Sequence, residues 1–153
     1  MITDSKYLYE ELSYKVIGCV YEVHKELGGV HKEIVYHKAL AIELNDKNIP
    51  YEEEKEVAVY YKKQKIGAYR PDFIIDNKII VEIKVVPKMT KAMLDQAYYY
   101  VKGTDYKLVL LVNFGAEKVG IKRLIYDRIS DENVQRSSVQ NQRSSAYTAE
   151  KRR

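Results

Sequence analysis

An α/β fold, with a mixed β-sheet flanked by helices, is what this 153-residue sequence predicts, on three observations. Apolar residues recur at helical spacing through most of the first 45 positions. Short extended runs rich in Val, Ile and Tyr follow from Pro50 to Val86. A helix-like segment then separates the apolar run at 79–86 from that at 107–113, the arrangement of a parallel β-α-β step, which is normally right-handed.

The first helix is expected over residues 9–27. Leu12, Val16, Cys19, Val20 and Val23 share one side of it, and Gly28-Gly29 ends it as glycine commonly ends helices. A second helix over 32–45 has Ile34, Val35, Leu40, Ala41 and Leu44 as its buried side. Pro50 opens extended structure. Residues 52–61 read as a strand with Val57, Val59 and Tyr61 in alternation, Lys62-Lys63-Gln64-Lys65 as an exposed turn, and Ile66-Gly67 as a short strand that continues an antiparallel meander. Thr90 stands where an N-cap belongs for a helix that Gly103 stops. Strands at 107–113 and 120–127 complete the body, and the unbroken Leu108-Val109-Leu110-Leu111-Val112 marks a central strand covered on both faces.

The most informative stretch is Arg70-Pro71-Asp72-Phe73-Ile74-Ile75-Asp76-Asn77-Lys78-Ile79-Ile80-Val81-Glu82-Ile83-Lys84, two apolar strands with charge inside them. Asn77-Lys78 reads as the tight turn, Asn tolerating the left-handed backbone such turns need. Asp72 then lies roughly opposite Glu82. Strand alternation points Glu82 and Lys84 one way and Val81, Ile83 and Val85 the other. Desolvating an ion costs several kcal/mol or more unless it is paired or metal-bound, so the three charges should surround something. Two carboxylates on neighbouring strands form a hard oxygen site suited to Mg²⁺ or Mn²⁺. A lysine beside them adds nothing to a structural metal, but in phosphodiester hydrolysis it positions water and offsets charge on the phosphate. The ordinary alternative is a Glu-Lys ion pair at a sheet rim. The Pro-Asp, the hairpin spacing and the apolar surroundings weigh against it.

Pro71-Asp72 followed by Glu82-Ile83-Lys84 resembles the core motif of the PD-(D/E)XK nuclease superfamily, and the surrounding chain, over about residues 7–127, is similar to the GxxExxY family within it. Glu33 and Tyr36 match that family's signature Glu and Tyr, while Val30 stands where its glycine would fall, just after Gly28-Gly29. Gln96 and Tyr100, four apart on one helical face, look like the Gln-x-x-x-Tyr element of exonuclease-like members. The resemblance implies a restriction-endonuclease-like sheet and a Mg²⁺- or Mn²⁺-dependent nuclease. It further implies Asp72 and Glu82 as metal ligands with the Ile83 carbonyl, Lys84 as the residue that orients water, Glu33 and Gln96 beside them, and Tyr100 near the nucleic-acid backbone. Glu33 also reads as an ordinary first-turn glutamate favoured by the helix dipole, and Tyr100 as a core tyrosine. Asn113 is expected to turn the chain at the sheet's end.

Composition bounds these readings. With 46% hydrophobic and 31% charged residues the chain can bury a core. It has no 18-residue apolar run and no leader-like start, so a cytoplasmic protein with no membrane contact is expected. One cysteine, Cys19, excludes an internal disulfide and is expected in the core. His24, His31 and His37 have no compact ligand spacing. Half of the net charge of +4 falls in residues 129–153, a Ser-, Gln- and Arg-rich tail expected to be disordered after a nuclease-like domain at 1–128. The remaining +2 is too little to announce a nucleic-acid surface, although Lys88 and Lys91 flank the charged hairpin and could meet phosphates. Nucleic acid, DNA before RNA, is the expected partner, and a homodimer or protein partner is left open. The competing reading is a non-catalytic nucleic-acid- or protein-binding module that keeps the fold.

Overall fold

The structure, a computed structural model, describes residues 8–126. Helix α1 (Glu10–Leu27) buries Ser13, Val16, Cys19, Val20 and Val23 along one stripe. Helix α2 (Glu33–Asp46) buries Tyr36, Leu40 and Leu44, one residue per turn. Ile34 and Val35, expected on that side, are 57% and 37% exposed. Tyr36 takes the inward direction instead. Its ring stacks on Phe114 with centroids 4.5 Å apart, while its hydroxyl donates to the Gly28 carbonyl at 2.5 Å and accepts from the His31 amide at 3.2 Å. The helical stripe is thus rotated toward the residue that can fasten the α1–α2 loop.

The strands are β1 (Tyr51–Glu53), β2 (Val57–Tyr61), β3 (Gln64–Tyr69), β4 (Phe73–Ile75) and β5 (Ile79–Lys84), followed by α3 (Lys91–Lys102), β6 (Leu108–Asn113) and β7 (Gly120–Ile125). Five of them form one mixed sheet in the order β1-β4-β5-β6-β7, with β5 and β6 parallel across α3 and the other neighbours antiparallel. The single strand expected over 52–61 is in fact two. Glu54 turns the chain with a left-handed φ of 49°, so β1 stays in the central sheet beside β4, while β2 leaves it and pairs only with β3. The meander is therefore interrupted by a separate two-stranded arm. Gln64 and Lys65, expected in its turn, already belong to β3.

The charged hairpin is shifted by one residue. Lys78 N–H donates to the Ile75 carbonyl at 2.9 Å, and the central residues are Asp76 and Asn77, with φ of 47° and 52°. Both tolerate the left-handed region, which makes this a type I′ turn centred before Lys78. Helix α3 begins and ends as expected: Thr90 Oγ1 accepts from the Met93 amide at 3.3 Å, and Gly103 follows the last turn.

The sheet has two covered faces. Ile79, Val81 and Ile83 of β5, with Leu108, Leu110 and Val112 of β6, pack against the α1 and α2 residues. Ile80, Val109 and Leu111 pack on the opposite face with Ala97 and Val101 of α3. All six β6 residues are buried, as a central strand requires. Cys19 lies in the first core. Among the described residues no helix is long and apolar enough to cross a membrane. The tail expected at 129–153 and the boundary at 128 lie outside the described residues.

Candidate active site

The β4–β5 register pairs Phe73 with Val81 and Ile74 with Ile80. One step further, Asp72 faces Glu82, both half-buried, at the point where the two strands leave the core. Asp72 Oδ2 accepts the Ile83 amide hydrogen at 2.7 Å, which fastens the aspartate across the hairpin. Glu82 lies on the Ile80 side of β5, and so does Lys84. The Glu82 carboxyl pKa is pushed up to about 8, first by burial, then by the Asp72 charge and a hydrogen bond with that carboxyl, and slightly by Glu33; Lys84 pulls the other way. The pair behaves as two carboxylates competing for too little positive charge.

Helix α2 supplies the next groups. Glu33 opens it, exposed as a residue, but desolvation and the Asp72 charge raise its carboxyl pKa against the opposing pull of Lys84 and His37. One turn later, His37 stacks on Phe73 with centroids 4.4 Å apart. It places Nδ1 3.4 Å from Asp72 Oδ1 and Nε2 3.0 Å from Glu53 Oε1. In the sequence neither residue marks itself as part of a site: His37 has no ligand spacing to another histidine, and Glu53 is one of several neighbouring glutamates. The one available signal is that His37 follows Glu33 by four residues on one helix face.

From the other face come two tyrosines. Tyr69, the last residue of β3, stacks on Tyr100 of α3 with centroids 4.1 Å apart, and burial followed by the Glu82 charge raises the pKa of both phenols. Tyr100 thus reaches the neighbourhood of the carboxylates. So does Tyr69, which no motif marks, because the arm returns its base to the site. Gln96 is exposed, and its side chain makes no hydrogen bond among the described residues. Lys88 is exposed, and Lys91 is taken up by an i,i+4 pair with Asp95 at 2.7 Å.

Lys84 is held through its backbone. Its carbonyl accepts from the Phe114 amide at 2.9 Å. Just beyond, Asn113, 2% exposed, receives Val86 N–H at 3.0 Å and Gly115 N–H at 2.9 Å on Oδ1, and donates from Nδ2 to the Val86 carbonyl at 2.9 Å. Gly115 is required there, since a Cβ would lie 2.4 Å from the Val86 nitrogen. Asn113 therefore does more than end the strand: it clamps the exit of β5 to the end of β6.

Among the described residues no three His, Cys, Asp or Glu side chains stand close enough to hold a metal ion between them. The side-chain donors available together are the two carboxylates of Asp72 and Glu82. That set fits Mg²⁺, which commonly uses one or two carboxylates and completes its shell with water and substrate phosphate. The upward shifts of Glu82 and Glu33 come first from burial and then from the Asp72 charge, and a hard cation bound between the carboxylates would oppose both.

Compared with known families, residues 10–124 match the model of the PD-(D/E)XK nuclease superfamily. No curated protein and no solved structure matches the chain.

Proposed function

This chain belongs to the PD-(D/E)XK nuclease superfamily, and on that premise we propose that it is a metal-dependent nuclease that hydrolyses phosphodiester bonds in DNA. Asp72 and Glu82, with the Ile83 carbonyl, would hold Mg²⁺ or Mn²⁺, which when bound supplies positive charge to the phosphate and acidifies a water molecule. Lys84 orients the attacking water and offsets the negative charge that builds on the phosphoryl oxygens. Glu33 borders the carboxylates from α2. Gln96 on α3 is assigned, with Glu33, to the surroundings of the carboxylates, and Tyr100, Lys88 and Lys91 to the path of the nucleic-acid backbone. Within the superfamily we assign the chain to the GxxExxY family, a reading that Glu33 and Tyr36 support.

The observation that supports the nuclease reading is the facing of Asp72 and Glu82 beside Lys84 at the open end of a β4–β5 hairpin whose strands are otherwise apolar, where both Glu82 and Glu33 feel Asp72 and Lys84 electrostatically. A structural ion pair does not need a third carboxylate. The test is cleavage of single- and double-stranded DNA with Mg²⁺ or Mn²⁺ by the unaltered protein, Asp72→Ala and Lys84→Ala. Each substitution is expected to reduce the rate by about a hundredfold or more; a rate unchanged by both would sink the mechanism.

A further inference from the structure

The β2–β3 arm stands apart from the five-stranded sheet, and its tip has an unusual composition. Tyr61 pairs with Gln64, so Lys62 and Lys63 form the whole turn, with φ of 47° and 64°. That geometry favours Asn-Gly, and non-glycine residues in the left-handed region are held there at a cost of about 1 kcal/mol or more each. Two lysines are a poor choice for the turn itself. Neither forms an ion pair among the described residues; Lys62 Nζ instead lies 5.5 Å from the centre of the Tyr61 ring.

Beside the lysines, Tyr60, Tyr61 and Ile66 are 52%, 61% and 65% exposed. Exposed tyrosines next to free lysines are the combination used to hold a nucleic-acid strand, bases stacking on rings and phosphates meeting ammonium groups. The root of the arm is acid-rich: Glu52 and Glu56 pair with Lys55 and Lys65, Glu53 meets the His37 ring, and Glu54 has no ion pair among the described residues. Within the arm, the basic side chains without an acidic partner among the described residues are therefore the two at the tip.

The arm is also connected to the site. Its base residue Tyr69 is the ring stacked on Tyr100 beside Glu82, and the Tyr60 amide donates to the Gly103 carbonyl at the end of α3, at 3.3 Å. At about 3.3 Å per residue, the strand from Tyr69 to Gln64 carries the tip roughly 17 Å from its base. That distance is several nucleotides along a strand.

We propose that the β2–β3 arm is a grip for single-stranded nucleic acid, with Tyr61, Lys62 and Lys63 holding the strand several nucleotides from the bond cut at Asp72 and Glu82, while Tyr60, the preceding residue of β2, lies on the opposite face. The location of the cut rests on the nuclease reading; the binding does not. The decisive variant is Lys62→Asn with Lys63→Gly, which removes both charges while supplying the residues the turn prefers, so the arm has no reason to unfold. Binding of a fluorescein-labelled 20-nucleotide single strand, measured by anisotropy in EDTA, should weaken about tenfold. The slope of log K against log salt should become shallower by about 1.4, the value for two lost phosphate contacts on a single strand.

Lys25→Gln with Lys122→Gln, on α1 and β7, should leave both quantities unchanged. Unchanged affinity and slope in the tip variant would overturn the proposal, and an equal loss for a blunt duplex of the same length would overturn its assignment to single strands. Hydrolysis of bis(p-nitrophenyl) phosphate separates this outcome from that of the nuclease reading. The tip variant should retain it and Lys84→Ala should lose it. A protein that cleaves neither substrate, yet loses oligonucleotide binding in the tip variant, refutes the catalytic reading and keeps the grip.

Discussion

The two hairpins of this molecule share a turn and little else. Lys62-Lys63 joins β2 to β3 and Asp76-Asn77 joins β4 to β5, and all four residues have left-handed φ. In the second hairpin Phe73, Ile74, Ile75, Ile79, Ile80, Val81 and Ile83 are at most 1% exposed, so each charged group that enters must find a partner or change its protonation. Asp72 finds the Ile83 amide, and Glu82 shifts upward. In the first hairpin most side chains are exposed, and Lys62 and Lys63 stand in water without an ion partner among the described residues. The same backbone motif thus yields a strained acidic pair where it is buried and an available basic tip where it is not.

The largest effect expected from this contrast is loss of cleavage in Asp72→Ala and Lys84→Ala with the fold intact by circular dichroism, and cleavage retained in both would break it. Both changes fall in the buried hairpin, and no tip substitution should match them on a small phosphodiester.

Next comes the clamp behind that hairpin. Asn113→Ala removes three hydrogen bonds and leaves Val86 groups unpaired, which should destabilise the protein by about 2–4 kcal/mol in urea unfolding. A loss below about 1 kcal/mol would mean that the exit of β5 does not depend on it.

A pH-dependent effect follows from the Glu82 carboxyl. Its folded pKa of about 8 lies above the ordinary 4.5, so between those values the folded protein keeps a proton that the unfolded chain has released. Stability should therefore fall as pH rises from about 4.5 to about 8 and then level off, and Glu33 contributes in the same direction. In EDTA, Glu82→Gln should flatten this decline and unfold at a higher temperature than the unaltered protein at a pH of about 8.5. Parallel Tm profiles for the two proteins would show that burial at Glu82 is not what the geometry implies.

The smallest effect compares the turns themselves. Lys62→Asn with Lys63→Gly should stabilise the protein by about 1 kcal/mol in thermal unfolding, whereas Asp76→Asn with Asn77→Gly should gain less, because it also removes the Asp76–Lys78 pair and the hydrogen bond from the Tyr106 hydroxyl to Asn77 Oδ1. Only the first should weaken oligonucleotide binding.

What can be read from the sequence divides along the same line. Helix α3 is legible because Thr90 and Gly103 are local signals, and β6 because its unbroken apolar run needs cover on both faces. The facing of Asp72 and Glu82 is legible from alternation on either side of a short turn, even with the turn placed one residue late. Long-range choices are not. Nothing near Glu52 says that β1 pairs with β4 while β2 departs, since that depends on a left-handed Glu54 and on the docking of Val59 at Gly103. His37 and Tyr69 are hidden for the same reason: each reaches the carboxylates through an element whose placement the local sequence does not encode. Hydrophobicity alone points Ile34 and Val35 inward, but the hydrogen-bonded Tyr36 takes that place.

The central claim, that the buried hairpin holds a divalent cation between Asp72 and Glu82, is tested most directly by calorimetric titration of the metal-free protein with Mn²⁺ at a pH of about 8.5, above the Glu82 pKa. The unaltered protein should bind the ion and Asp72→Ala should not. Binding should also weaken as pH drops below about 8, up to about tenfold per unit, because a proton must leave Glu82 first. No Mn²⁺ binding by the unaltered protein, or equal binding in Asp72→Ala, would contradict it.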